Sequence, residues 1–247
     1  LASIKEPIDL AIISLSRARV LNALKECIKN NIMASIVITQ GFADADDEGK
    51  RLQSEMAALN KDNGIRILGP NTMGVMNAFA NFTSSFFEVS NEKLPIGLIA
   101  QSGLFMMGYH MMGDVYAGFG MAMDLGNACD INCSDVLPYY EDEMNIKVIQ
   151  IHLEALGDGR EFLKSASMVS SKKPLVVLKS GKTKTGKRAV ISHSGAAAGE
   201  NEVYEAAFKK CGVVTAKNTE ALRLLSKAFL TYRPIKDKRI AIVSFSG

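Results

Sequence analysis

The sequence lacks any long uninterrupted apolar run. Its richest stretches are broken by charges or glycine, short of the roughly 20 residues that cross a bilayer, so no membrane partner is expected. It also lacks charge of one sign: 29 Lys and Arg face 26 Asp and Glu, a formal excess of +3. That excludes the general basic field of a nucleic-acid binder and makes any anion site local. Cysteine is scarce. Cys27, Cys129, Cys133 and Cys211 are too few and too scattered for a disulfide scaffold, which leaves reduced thiols and a cytoplasmic setting as the expectation. No His or further Cys lies near Cys129 and Cys133 in sequence to complete a zinc site, and no metal ligands are assigned. Leu1–Pro7 has neither an initiator Met nor the layout of a secretory signal and reads as the start of a cut chain. A complete G-x-G-x-x-G after a first strand is absent, which argues against a nicotinamide-dependent oxidoreductase. Gly181–Arg188 approaches a phosphate loop but has Arg188 where a hydroxyl should hold magnesium, so a P-loop NTPase is set aside and a flexible basic loop remains. Asp44–Gly49 resembles a calcium loop until Glu48 occupies its third ligand position; the acids read instead as helix-capping residues.

What is present is an ordinary globular composition, 47% hydrophobic and 22% charged over 247 residues, enough for two domains. Apolar β-rich runs recur at 9–15, 34–39, 65–68, 96–100, 147–153, 174–178 and 239–245 and read as buried strands. Helix-length stretches with apolar residues three and four apart fill 18–29, 49–58 and 161–169. Strand and helix alternate, which predicts an α/β protein with parallel sheets. The pattern lapses between Asn77 and Pro95, where a domain junction is expected. A second boundary is expected near 231–238.

In such sheets, function gathers where strands end and helices begin. Ile96–Ala100 runs into Gln101-Ser102-Gly103 and an apolar helix. Free amides at that helix start favour a phosphate or carboxylate, although Ser102 as a simple N-cap accounts for the pattern equally well. His193 stands among small residues, Ile191-Ser192-His193-Ser194-Gly195-Ala196-Ala197-Ala198-Gly199, which leave clearance for a group carried on its ring. His110, in a Met-rich helical stretch, and His152, inside a strand, lack that setting and read as packed or surface histidines. Glu154 follows a strand, where a carboxylate can orient a histidine ring. Asp158 reads as the cap of the helix beginning near Arg160.

Together these pieces resemble one family, the NDP-forming acyl-CoA synthetases, which include ADP-forming acetate–CoA ligase and the alpha subunit of succinyl-CoA synthetase. The 191–199 segment is similar to that family's phosphohistidine segment. Gly69-Pro70-Asn71-Thr72-Met73-Gly74 resembles its G-P-N-C-x-G turn, Gln101-Ser102-Gly103 its S-Q-S-G loop, and Leu125-Gly126-Asn127 with Asp130 its L-G-N-x-x-D segment. The resemblance implies a partial Rossmann-like CoA-binding domain with connector over 1–93, without its opening strand and Gly-rich loop. A flavodoxin-like, succinyl-CoA synthetase-like parallel-sheet domain would follow over 94–232, then a linker and the first strand of a further ligase domain over 233–247. It implies an acid–CoA ligase in which acyl-CoA and phosphate give acyl phosphate and CoA, His193 takes the phosphoryl group, and ADP or GDP receives it. By resemblance Glu154 orients His193, while Ser102, Gly103 and Leu104 hold phosphate together with Ser192, Ser194 and Gly195. CoA contacts come from Ser14, Leu15, Ser16, Thr39, Gln40 and Asn71. The implied partners are a small carboxylic acid or its acyl-CoA and an ATP-grasp (beta) domain or subunit, which holds ATP or GTP with Mg2+; the assembly is expected to be an oligomer. Three departures stand out: Thr72 for Cys, Ser194 and Ala197 for Thr and Leu, and the bulky Leu104-Phe105-Met106-Met107 for A-L-G. The last points to a different acyl substrate. A reading from another class, a catalytically silent acyl-CoA-sensing module of a larger protein such as an acetyltransferase, is disfavoured by the presence of both His193 and Glu154.

Overall fold

The computed structural model describes residues 4–89, 92–111, 118–183, 185–186, 201–232, 239, 241 and 243–245. Its first part is a three-stranded parallel sheet, β1 (Ala11–Ile13), β2 (Ala34–Val37) and β3 (Arg66–Leu68), in that order. Helices α1 (Arg17–Lys29) and α2 (Asp47–Asn63) make the crossovers. They bury Val20, Leu21, Leu24, Cys27 and Met56 against Ile13, Val37, Ile65 and Ile67. The acids of the calcium-like run cap α2: the Asp46 carboxylate accepts from the Gly49 amide at 2.6 Å, with Asp47 and Glu48 in the first turn, where the helix dipole favours them. Asp158 caps its helix in the same way, accepting from the amides of Arg160 and Glu161.

The second part is a seven-stranded sheet. Its parallel members are β6 (Ile96–Ala100), β7 (Met121–Asp124), β8 (Val148–Leu153), β9 (Leu175–Lys179) and β10 (Val214–Ala216). They lie in the order β10-β9-β8-β6-β7, extended by the antiparallel β4 (Val75–Asn77) and β5 (Phe82–Thr83). Counted from β6, the parallel strands follow the flavodoxin-like order 2-1-3-4-5. β6, β8 and β9 are buried along their whole length because helices cover both faces. Alternation with period two sorts their side chains. Ile99, Ile149, Ile151, Leu153, Leu175 and Val177 face α4 (Cys133–Asp142), α5 (Gly159–Ser170) and α6 (Asn201–Lys210). Leu98, Ala100, Val148, Val176 and Leu178 face α3 (Gly103–Met111) and α7 (Thr219–Thr231).

Sequence reasoning missed β4, β5, β7, β10 and α4. The strands have only two to four residues, and Pro138 inside α4 masks a helix that its capping box, Asn132 with Asp135, would have revealed. The stretch from Asn77 to Pro95, where the alternation of strand and helix lapses, contains the end of β4 and all of β5. The strand expected at 239–245 is absent among its described residues, which are exposed.

Ile36 and Leu68 of the first sheet pack into the second sheet's core, beside Leu125 and Val136. Asp130 reinforces the junction by accepting from the Ile67 amide at 2.7 Å and pairing with Arg66, which also meets Asp135. The carboxyl ends of both sheets are thereby held against one cleft.

Candidate active site

β7, β6 and β8 are neighbours and parallel, so Asp124, Gln101-Ser102-Gly103 and Glu154 come side by side at their carboxyl ends. Chain order reverses between β6 and β8, which makes this the topological switch point where such sheets bind ligands. Gln101 fixes the geometry. Its side-chain carbonyl accepts from the Glu154 and Ala155 amides at 2.7 and 3.0 Å, and its amide donates to the Ala155 carbonyl at 2.8 Å. Glu154 is 7% exposed, and its carbonyl accepts from the buried Lys179 ammonium at 2.8 Å.

Helix α3 opens at Gly103. The Ser102 hydroxyl reaches the Phe105 amide at 3.4 Å, a long cap, while the amides of Gly103 and Leu104 have no acceptor among the described residues. A first turn with free amides is a ready anion site. Gly103 is required there: a Cβ would meet the Met73 Cγ at 2.5 Å and the Asp124 carboxyl oxygen at 3.0 Å.

Asp124 lies beneath this turn. It accepts from the Met73 amide at 2.7 Å and from the Thr72 hydroxyl at 3.3 Å. Burial drives its carboxyl up to about 6; the donated hydrogen bonds pull the other way and the Glu154 charge adds to the rise. Motif reading passed over it, although its place at a strand end just before Leu125-Gly126-Asn127 was a usable signal.

From the other side the cleft is lined by the loops after β1, β2 and β3. The Thr39 hydroxyl donates to the Leu15 carbonyl at 2.7 Å, and the Asn71 amide donates to the Thr39 carbonyl at 2.9 Å. Asn127 links the two sheets. Its side-chain amide donates to Asp44 and Gln53 at 2.7 and 2.9 Å, and its carbonyl accepts from Asn71 at 3.2 Å. Burial pushes the Asp44 carboxyl up, but donors from Asn127, Gly41 and Phe42 outweigh it and hold the group below its usual value. Arg17 is the only cation among the described lining residues; it donates to the Gly41 carbonyl at 2.7 Å and pairs with Asp46.

The result is one cleft of about 1230 Å³, above the roughly 300–1,000 Å³ of ordinary small-molecule sites. Ser14, Leu15, Ser16, Thr39, Gln40 and Asn71 line it on one side, and Ser102, Gly103 and Leu104 on the other. Glu154 borders it through Gln101. Ser192, His193, Ser194 and Gly195 lie outside the described residues, as do Lys184, Lys187 and Arg188 of the basic loop. His110 packs between Phe87 and Phe119. His152 is buried, stacked on Phe105 at 4.0 Å and bonded to the Ser180 hydroxyl at 2.8 Å.

Comparison with known proteins matches residues 1–78 to a CoA binding domain and residues 93–229 to a succinyl-CoA ligase-like flavodoxin domain. The chain is 36% identical to the alpha subunit of acetate–CoA ligase [ADP-forming] II of Pyrococcus furiosus, over 99% of this chain and 54% of that subunit. It is 34% identical to 4-hydroxybutyrate–CoA ligase [ADP-forming] of Nitrosopumilus maritimus, over 99% of this chain and 36% of that enzyme. The solved structure of a dinucleotide-forming acetyl-coenzyme A synthetase 1 from Ca. Korarchaeum cryptofilum, in complex with phosphate and ADP, superposes with a TM-score of 0.87 at 33% identity. That match covers 95% of this chain and 51% of the other. The chain thus spans between about a third and about half the length of these relatives. With both domain matches in chain order and the flavodoxin-like match alone covering more than half its length, the chain belongs to the succinyl-CoA ligase-like family of NDP-forming acyl-CoA synthetases.

Proposed function

We propose that this chain is the CoA-binding and phosphoryl-carrying part of an NDP-forming acid–CoA ligase. One observation carries the reading: the residues expected to touch CoA line the same cleft as Ser102, Gly103 and Leu104, three of those expected to touch phosphate. Acyl transfer needs that arrangement, because the thioester carbonyl and the attacking phosphate oxygen must meet within about 3–3.5 Å.

In the first step phosphate sits at the amides of Ser102, Gly103 and Leu104. A phosphate oxygen attacks the thioester carbon, the carbon–sulfur bond breaks, and CoA leaves as its thiol after taking up a proton. The helix start stabilises the phosphate charge throughout. In the second step the His193 ring nitrogen attacks the phosphorus of the acyl phosphate and the carboxylate leaves. Glu154 orients the ring, with Gln101 and Lys179 holding the Glu154 backbone in place. Ser192, Ser194 and Gly195 give the phosphorylated ring donors and clearance. In the third step the phosphoryl group passes to ADP or GDP on an ATP-grasp domain or subunit, which supplies Mg2+ with the nucleotide. The described residues of this chain hold no group of three metal-ligating side chains. Its four cysteines are free, as a cytoplasmic setting requires, and no described helix is long and apolar enough to cross a membrane.

The full-length protein supplied with acyl-CoA, ADP, phosphate and Mg2+ is expected to release thiol and form ATP in equal amounts. Thiol release at the same rate without phosphate would identify a hydrolase and refute the proposal.

A further inference from the structure

The acyl group bonded to phosphate at the α3 helix start must leave that point along the adjoining walls of the cleft, and those walls carry three large apolar side chains among the hydroxyls of Thr72, Ser84 and Ser85. Leu104, in the first turn of α3, is 67% exposed, and Phe86 is 79% exposed. Met73 lies against Gly103, so close that a Cβ there would strike its Cγ. All three line the cleft. The charged groups among the described lining residues, Arg17 and Asp44, are engaged in the first domain, with Asp46 and Gly41 in one case and Asn127 in the other. Among the described lining residues the one cation is Arg17, already paired with Asp46, so none of them is left to meet a second carboxylate.

From this arrangement we infer that the acid is a monocarboxylic acid with an apolar tail of several carbons or an aromatic ring, and that Leu104, Phe86 and Met73 set this preference. The inference rests on the ligase reading and names its substrate class. Two large side chains exposed to water at the point where the acyl tail emerges gain by being covered, and each methylene they cover contributes about a fourfold gain in binding. Acetate has nothing to offer them. A dicarboxylate such as succinate would bring a second charge against Leu104, Phe86 and Met73, with Arg17, the one cation among the described lining residues, already paired to Asp46.

The test uses the full-length enzyme with its nucleotide-binding part, assayed for CoA-dependent ADP formation from ATP with acetate, butyrate, hexanoate, phenylacetate and succinate. The expected kcat/KM for hexanoate or phenylacetate is at least about tenfold above that for acetate, with succinate lowest. Phe86→Ala and Leu104→Ala each lower the hexanoate-to-acetate ratio severalfold; both side chains are exposed, so neither substitution opens a core cavity. Acetate used as well as hexanoate, or a ratio unmoved by both substitutions, overturns the inference while leaving a working ligase. Absence of CoA-dependent turnover with every acid overturns the ligase reading and this inference with it.

Discussion

Asp124 shows how one position ties chemistry to stability. It is fully buried under the first turn of α3, and its pKa in the fold, about 6, lies above the ordinary 3.8. The group's contribution to stability is therefore whole below about 3.8 and is lost as pH rises through about 6. The difference amounts to something on the order of 3 kcal/mol. Asp124→Asn keeps an oxygen to accept from Met73 and Thr72 but cannot ionise. Its unfolding free energy relative to the native chain is expected to improve between pH 4 and pH 8, measured by denaturant titration at both; an unchanged difference would refute the assigned burial. The sequence marked Ser102 and Glu154 through their places at the ends of apolar runs. It concealed Asp124 because β7, Met121-Ala122-Met123-Asp124, has no β-branched residue to announce a strand.

The cleft depends on how strand-end loops lock together across the two sheets, and Asn127 is the hinge-pin of that lock. Removing its side chain takes one hydrogen bond each from Asp44, Gln53 and Asn71. A hydrogen bond to a charged group contributes about 1.5–3 kcal/mol, so Asn127→Ala is expected to raise the KM for CoA by about tenfold or more, with a smaller effect on kcat. Steady-state kinetics at varied CoA measure both, and an unchanged KM would show that the lock does not shape the CoA site. The strongly periodic elements were legible: α1, α2, α5, β6, β8 and β9 lie where apolar spacing predicts them. Short elements were not, because a strand of three residues such as β10 acquires its conformation from the neighbour it pairs with, here β9, and not from its own pattern. The lock between sheets was equally hidden, since Asp44 and Asn127 are 83 residues apart in sequence.

On the scale of the whole chain, two α/β units present their strand ends to a shared cleft, the loops after β1, β2 and β3 on one wall and the α3 helix start on the other. The motifs at 69–74, 101–103 and 125–127 each follow a strand, and parallel sheets bring such ends together. The central claim is that the cleft passes a phosphoryl group to His193. It is tested most directly by incubating the full-length protein with Mg2+ and ATP labelled on its terminal phosphate, then locating the label by peptide mapping. The account predicts an acid-labile, base-stable phosphate on His193 that is discharged by acid and CoA together and is lost in His193→Ala. Label retained by His193→Ala, or a native ligase that turns over without ever carrying label at 193, would contradict it.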